Sequence, residues 1–182
     1  MIEEYKDYLV VLDWRIPDYL YEALASLLIS GVLVILLIKG LKNGWRMTAG
    51  WVLIEYVFLI LCSTLIFRPE NEVRTHHFKP FWSYEQCFTE GGFHLNPEIG
   101  LNILVFIPVG LLLAMCFRNL NWWKALMIGG GLSILIEVLQ LITKRGLSEF
   151  DDVFNNTIGC MAGYGLYCLM GMISKVITTK TQ

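Results

Sequence analysis

Glu137 and Gln140 stand three residues apart in an otherwise apolar run, so on a helix they share one face. A carboxyl group there must face protein, water or a ligand, and it can pair with a cation or exchange a proton with a substrate. The neighbouring amide can hydrogen-bond through both its oxygen and its nitrogen. A second polar set follows at Asp152, Asn156 and Gly159, at near-helical spacing, and Asn102 opens another apolar run with a further amide. Arg145 carries a planar donor array suited to phosphate. Two chemistries fit these residues. Glu137 or Asp152 could serve as acid or base on a substrate, or Asn102, Gln140, Arg145 and Asn156 could hold an anionic headgroup.

Other chemistries find less support. Ser63 and Ser133 lie in apolar runs without a histidine, and nothing beside Ser148 signals an activated nucleophile. His76, His77 and His94, with Cys87 or Glu90, match no strong zinc spacing, so no metal site is expected. The run from Gly159 to Gly165 lacks the preceding strand and the lysine of a phosphate-binding loop and is expected to pack helices; no cofactor is implied. A net charge of −2 without a concentrated basic surface argues against nucleic acid. The cysteines form no disulfide framework.

The elements that must position these residues are membrane spans. Hydrophobic residues make up 55% of the 182 positions and charged residues 16%, outside the usual balance of a soluble domain. Apolar runs long enough to cross a hydrocarbon core cover residues 20–38, 50–67, 101–117, 124–142 and 153–173. The sequence therefore predicts an all-α, polytopic membrane bundle of five transmembrane helices in one domain, residues 1–182. The first run is expected to stay in the mature chain, because residues 1–19 carry more acid than base and no small-residue cleavage pattern follows. Transport by such a bundle finds no paired internal repeat to support it.

Lysine and arginine in the connections set the orientation. Lys39, Lys42 and Arg46, then Arg118 and Lys124, then Lys175 and Lys180 fall on one side, which puts the carboxyl terminus in the cytoplasm and the amino terminus outside. With alternating spans, the start of the third run, the end of the fourth and the start of the fifth share the outer end. Asn102, Glu137, Gln140, Arg145, Asp152, Asn155 and Asn156 converge there, and membrane lipids are the expected partners. Ser148 and Asp151 stand at a capping-box interval before the fifth run, so Asp151 is expected to satisfy helix-end amides. Pro108 should leave the Leu104 carbonyl poorly paired. The aromatic-rich connection 68–100 should lie at the headgroup level as an anchor or a lid.

The ordered set Arg68-Pro69, Lys79-Pro80-Phe81, Asn102 through Gly110, Ile136 through Gln140, Arg145 and Asp151 through Gly159 resembles the VanZ-like family. The resemblance runs over residues 56–169, leaving the first run as an added amino-terminal helix. It implies a bacterial membrane protein acting on the cell envelope, and some members of the family are associated with teicoplanin resistance. The resemblance makes Asn102, Glu137, Gln140, Arg145, Asp152 and Asn156 the candidate functional residues. The leading expectation is that they recognise an anionic lipid or lipid-linked cell-wall intermediate at the outer mouth, altering lipoglycopeptide susceptibility.

Overall fold

The computed structural model describes Gly31 and residues 43–88 and 96–180. The chain divides into two compact units at Lys39 and Gly40, and everything below concerns the second. The apolar run 20–38 lies outside the described residues except for Gly31, which is helical.

Four of the predicted runs form helices long and apolar enough to cross a membrane, Gly44–Ile66, Pro97–Cys116, Trp122–Thr143 and Phe150–Ile177. In chain order the elements are α1 (Gly44–Leu61), β1 (Thr75–His77), α2 (Trp82–Gln86), α3 (Pro97–Cys116), α4 (Trp122–Thr143), β2 (Leu147–Glu149) and α5 (Phe150–Lys180). The chain is thus an all-α membrane bundle carrying one short two-stranded ladder at its end.

Local chemistry explains the helix ends. Asn96 caps α3 by accepting the Glu98 N–H at 3.0 Å, with Pro97 in the first turn, where no backbone donor is missed. Asn121 caps α4 through the Lys124 N–H at 2.9 Å. At the far end of α4, Lys144 adopts a left-handed conformation (φ 56°) and Gly146 follows at φ 96°, which turns the chain sharply into β2. Beyond α1, residues Cys62–Ile66 form a π-helical turn. The Ser63 and Thr64 hydroxyls both donate to the Ile60 carbonyl, at 2.9 and 2.7 Å, competing with the backbone donor that would otherwise close an α-turn there.

Glycine decides how closely α3 and α5 cross. A Cβ at Gly110 would lie 1.8 Å from the Cys160 carbonyl oxygen, one at Gly159 2.2 Å from that of Ile103, and one at Gly163 1.9 Å from that of Ile107. The two backbones come together at these three points, the close approach that small residues permit between membrane helices. Of the three consecutive glycines in α4, Gly129 packs on the Cys160 side chain while Gly131 has open space around it. Beside this seam Ile60, Phe106, Val109, Leu113, Ile136 and Cys160 form the buried core. Near Pro108, the Val105 carbonyl takes its extra donor from the Tyr56 hydroxyl at 3.0 Å, tying α1 to α3.

The connection between α1 and α3 folds over one end of the bundle. β1 pairs in parallel with β2, in the register Thr75↔Leu147, His76↔Ser148 and His77↔Glu149. The Phe81 ring packs edge-on against Phe150 and Phe154 of α5. The expected Ser148–Asp151 capping box does not form: Ser148 lies in β2, and Asp151 caps α2 instead. Its carboxylate accepts the Phe81 N–H at 2.6 Å, and the Ser83 N–H at 3.0 Å and hydroxyl at 2.5 Å. The isolated sequence interval could not distinguish a helix's own cap from a cap offered to a distant segment.

Candidate functional site

The start of α3, the end of α4 and the start of α5 meet at one end of the bundle and bring four of the sequence-derived residues together. The Asn102 amide donates to the Asp152 carboxylate, joining α3 to α5. Asn156 donates to the Ser133 hydroxyl at 2.8 Å, and Ser133 in turn reaches the Asp152 carbonyl at 3.5 Å. Glu137 accepts the Glu149 N–H at 2.8 Å, while the Ser148 hydroxyl and the charges of Asp152 and Glu149 also act on it. The result is a buried polar network with its acids on α4, β2 and α5. Asn155 faces elsewhere, accepting a hydrogen bond from the Tyr84 hydroxyl and so fastening α2 to α5.

Gln140 and Arg145 look toward α1. The Gln140 Nε2 lies 3.4 Å from the Thr64 carbonyl, and its Oε1 is buried without a hydrogen-bond partner among the described residues. Arg145 Nη1 donates to the Leu65 and Ile66 carbonyls at 3.1 and 2.8 Å. These belong to the π-helical turn, where the helix ends and carbonyls lose their own donors. Part of the Arg145 guanidinium is therefore committed to holding that turn.

The cation whose charge reaches the network, through Asp152, is Arg68, which lies at the end of an apolar run and is not among the six sequence-derived positions. Its Nη1 would lie 2.6 Å from a Cβ at Gly146, beside the Gln140 amide, and its charge acts on Asp152. Gly146 leaves room for the guanidinium to lie against the backbone. Among the described residues Arg68 makes no hydrogen bond or ion pair, and it is exposed. The available signal was Arg68-Pro69 at the end of a predicted span, a place from which a long side chain can reach the mouth.

Glu149 is the second residue that the apolar windows missed. It is the last residue of β2, immediately before α5, and lies 6% exposed. Burial first, then the charges of Asp152, Glu98 and Asp151, push its carboxyl up to about 7, against a smaller lowering by the Trp82 indole. An unfolded glutamate titrates near 4.5. Between those values the folded protein holds a proton that the unfolded chain has released, so this contribution to stability is full below about pH 4.5 and lost as pH rises through about 7. Glu149→Gln should flatten the fall in melting temperature between pH 5 and 8, by the equivalent of about 1–2 kcal/mol once solvent screening is allowed for. Thermal melts of both proteins across that range, in one detergent, provide the check; parallel curves would assign the proton elsewhere.

Among the described residues the histidines gather no metal-like set. The His77 ring lies tilted against Trp82 with ring centroids 4.1 Å apart, His76 stacks on Phe78, and His94 and Glu90 lie outside the described residues. Cys87 is buried, its thiol 3.5 Å from the Ser83 carbonyl. Among the described residues no three His, Cys, Asp or Glu side chains converge as metal ligands.

This geometry coincides with a family match: the VanZ/LLP1 profile covers residues 51–171, two thirds of the chain and every residue of the network. The chain belongs to the VanZ-like family. It is 35% identical over 68 residues to Protein VanZ of Enterococcus faecium, an alignment covering 37% of this chain and 42% of that protein. The chain thus matches less than half the length of that curated relative. No solved structure matches. The VanZ-like region includes Arg68 and Glu149 along with the six sequence-derived positions, so the mouth is built within the family's own part of the chain.

Proposed function

We propose that this VanZ-like protein binds the phosphate-bearing headgroup of a membrane lipid or lipid-linked envelope intermediate at the mouth of its bundle. The observation that carries the reading is the uncommitted, exposed guanidinium of Arg68, lying beside the buried Gln140 amide. A ligand approaching the mouth meets this cation first, with Asp152 and Glu137 behind it. That order suits a phosphate whose neighbouring hydroxyl or amine hydrogens can turn toward the acids. Asn102, Asn156 and the free oxygen of Gln140 would fix the headgroup, and the unused donors of Arg145 would add to Arg68. The apolar helix faces would accompany the chains.

With the basic connections in the cytoplasm, the mouth opens to the outer leaflet, where retaining a cell-wall intermediate would change how a lipoglycopeptide finds its target. Cysteine-accessibility labelling of the two termini in intact cells tests that placement; an inward-facing mouth rejects it.

Arg68→Gln is expected to weaken retention of phosphatidylglycerol relative to phosphatidylcholine about tenfold, the scale of a lost charge-assisted hydrogen bond. Arg145→Gln should act first on stability, through the two π-turn carbonyls, and only secondarily on lipid selectivity. Native mass spectrometry of both variants, after folding is verified by size exclusion, separates the two roles. Equal retention of the two lipids by the unaltered protein defeats the headgroup reading.

A catalytic reading draws on the proximity of Glu137 on α4 and Asp152 on α5, the charge of Asp152 acting on the Glu137 carboxyl. Either could serve as acid or base on a lipid-linked substrate held at the mouth. Conversion of such a compound by the unaltered protein but not by folded Glu137→Gln would establish it.

A further inference from the structure

The end of the bundle away from the mouth carries a second amphiphilic site. At the turn from α3 to α4, Phe117, Arg118, Asn119, Leu120, Lys124 and Ile128 line a hollow of about 310 Å³. An adjoining hollow of about 420 Å³ shares Lys124 and Ile128 and continues along α4 past Trp123 and Met127. Two cations thus stand at one end of a groove whose other end is apolar.

The cations are available. Arg118 makes no hydrogen bond or ion pair among the described residues, and the Lys124 ammonium has only the Asn119 carbonyl, at 3.4 Å. Asn121 caps α4 through the Lys124 N–H, which places that lysine in the first turn of the helix, beside the backbone turn. The stacked rings of Trp122 and Trp123, with centroids 4.3 Å apart, are half exposed at the same level. Tryptophan at this level marks the boundary between headgroups and hydrocarbon. The groove therefore runs from the phosphate level into the chain level, the profile of one phospholipid molecule.

We infer that the α3–α4 turn binds an anionic glycerophospholipid, its phosphate between Arg118 and Lys124 and one acyl chain laid along Trp123, Met127 and Ile128. The site is independent of the mouth: α4 has 22 residues, which at 1.5 Å per residue separates its two ends by roughly 30 Å. Its occupant comes from the opposite leaflet, and its cations are different residues. Bound there, the lipid would neutralise two like charges that line one hollow, Arg118 in the connecting turn and Lys124 in the first turn of α4, and steady the start of the helix that carries Glu137 and Gln140.

The test uses the full chain in phosphatidylcholine vesicles containing a photoreactive phosphatidylglycerol, with adducts located by peptide mass spectrometry. Adducts should appear in residues 117–128. They should fall about tenfold in Arg118→Gln/Lys124→Gln, recover in Arg118→Lys/Lys124→Arg, and persist in Arg68→Gln, which disables the mouth alone. Both positions are exposed and lie outside the core and the polar network, and size exclusion of each variant verifies the fold. Equal labelling by a photoreactive phosphatidylcholine, labelling undiminished in the double glutamine variant, or adducts confined to the mouth would each overturn the inference.

Discussion

Gly163→Ala is expected to destabilise the protein by about 3 kcal/mol or more, enough to remove most of it from the folded, monodisperse fraction in detergent. The added methyl would sit 1.9 Å from the Ile107 carbonyl oxygen and 2.8 Å from the Leu111 nitrogen, and both belong to the α3 backbone, which has no rotamer with which to yield. α3 and α5 would have to separate by more than an ångström along a seam that Gly110 and Gly159 also keep tight. Alanine's better helix propensity returns only about 1 kcal/mol, so the clash prevails. Separation would also pull Asn102 away from Asp152, because that hydrogen bond spans the same two helices. Gly165→Ala and Gly171→Ala supply the contrast: neither added Cβ meets anything within 4 Å, so both should hold or slightly raise the melting temperature. Detergent melts followed by size exclusion rank all three, and a Gly163→Ala protein melting with the unaltered one would show that the seam is looser than these distances require.

The spans were legible because a helix crossing hydrocarbon cannot hide its composition. Their starts were less so: α3 begins at Pro97 and α4 at Trp122, ahead of the apolar runs that open at residues 101 and 124, since Asn96 and Asn121 cap them with polar side chains that a hydropathy window rejects. The shared end of Asn102, Glu137, Asp152 and Asn156 followed from alternation alone; hydrogen bonds join Asn102 to Asp152, and Asn156 to Asp152 through Ser133, while Glu137 bonds to the Glu149 amide of β2. What the sequence could not convey was the pairing of groups far apart in the chain. Arg145 found carbonyls only because Ser63 and Thr64 reshape the end of α1 into a π-turn, and Arg68 entered the mouth only because Gly146 leaves space there. The parallel pairing of β1 with β2 was equally invisible, since each strand has three residues and the chain crosses α3 and α4 between them.

The same long-range pairing underlies the second large effect, expected for Asp151→Ala. This carboxylate is fully buried and accepts three donors of one distant segment, the Phe81 and Ser83 amides and the Ser83 hydroxyl. Removing it leaves the buried Ser83 donors without an acceptor, and each unmade bond costs about 1–3 kcal/mol. It also releases Phe81, whose φ of 61° is a left-handed conformation that a bulky side chain adopts only when its surroundings enforce it. The loss is local at first, because Tyr84 still reaches Asn155 and the β1–β2 ladder is not part of this contact. The expected result is therefore an opened cover over an intact bundle. Cys87, 5% exposed and one residue beyond α2, reports on that opening. A membrane-impermeant maleimide should label it at least about tenfold faster in Asp151→Ala than in the unaltered protein, the factor that loss of one such hydrogen bond supplies. Asp151→Asn keeps an acceptor oxygen for one amide and should fall between the two. Labelling at the unaltered rate in Asp151→Ala would mean that the Phe81 contacts with Phe150 and Phe154 hold the cover by themselves, and that the buried carboxylate is not its clasp.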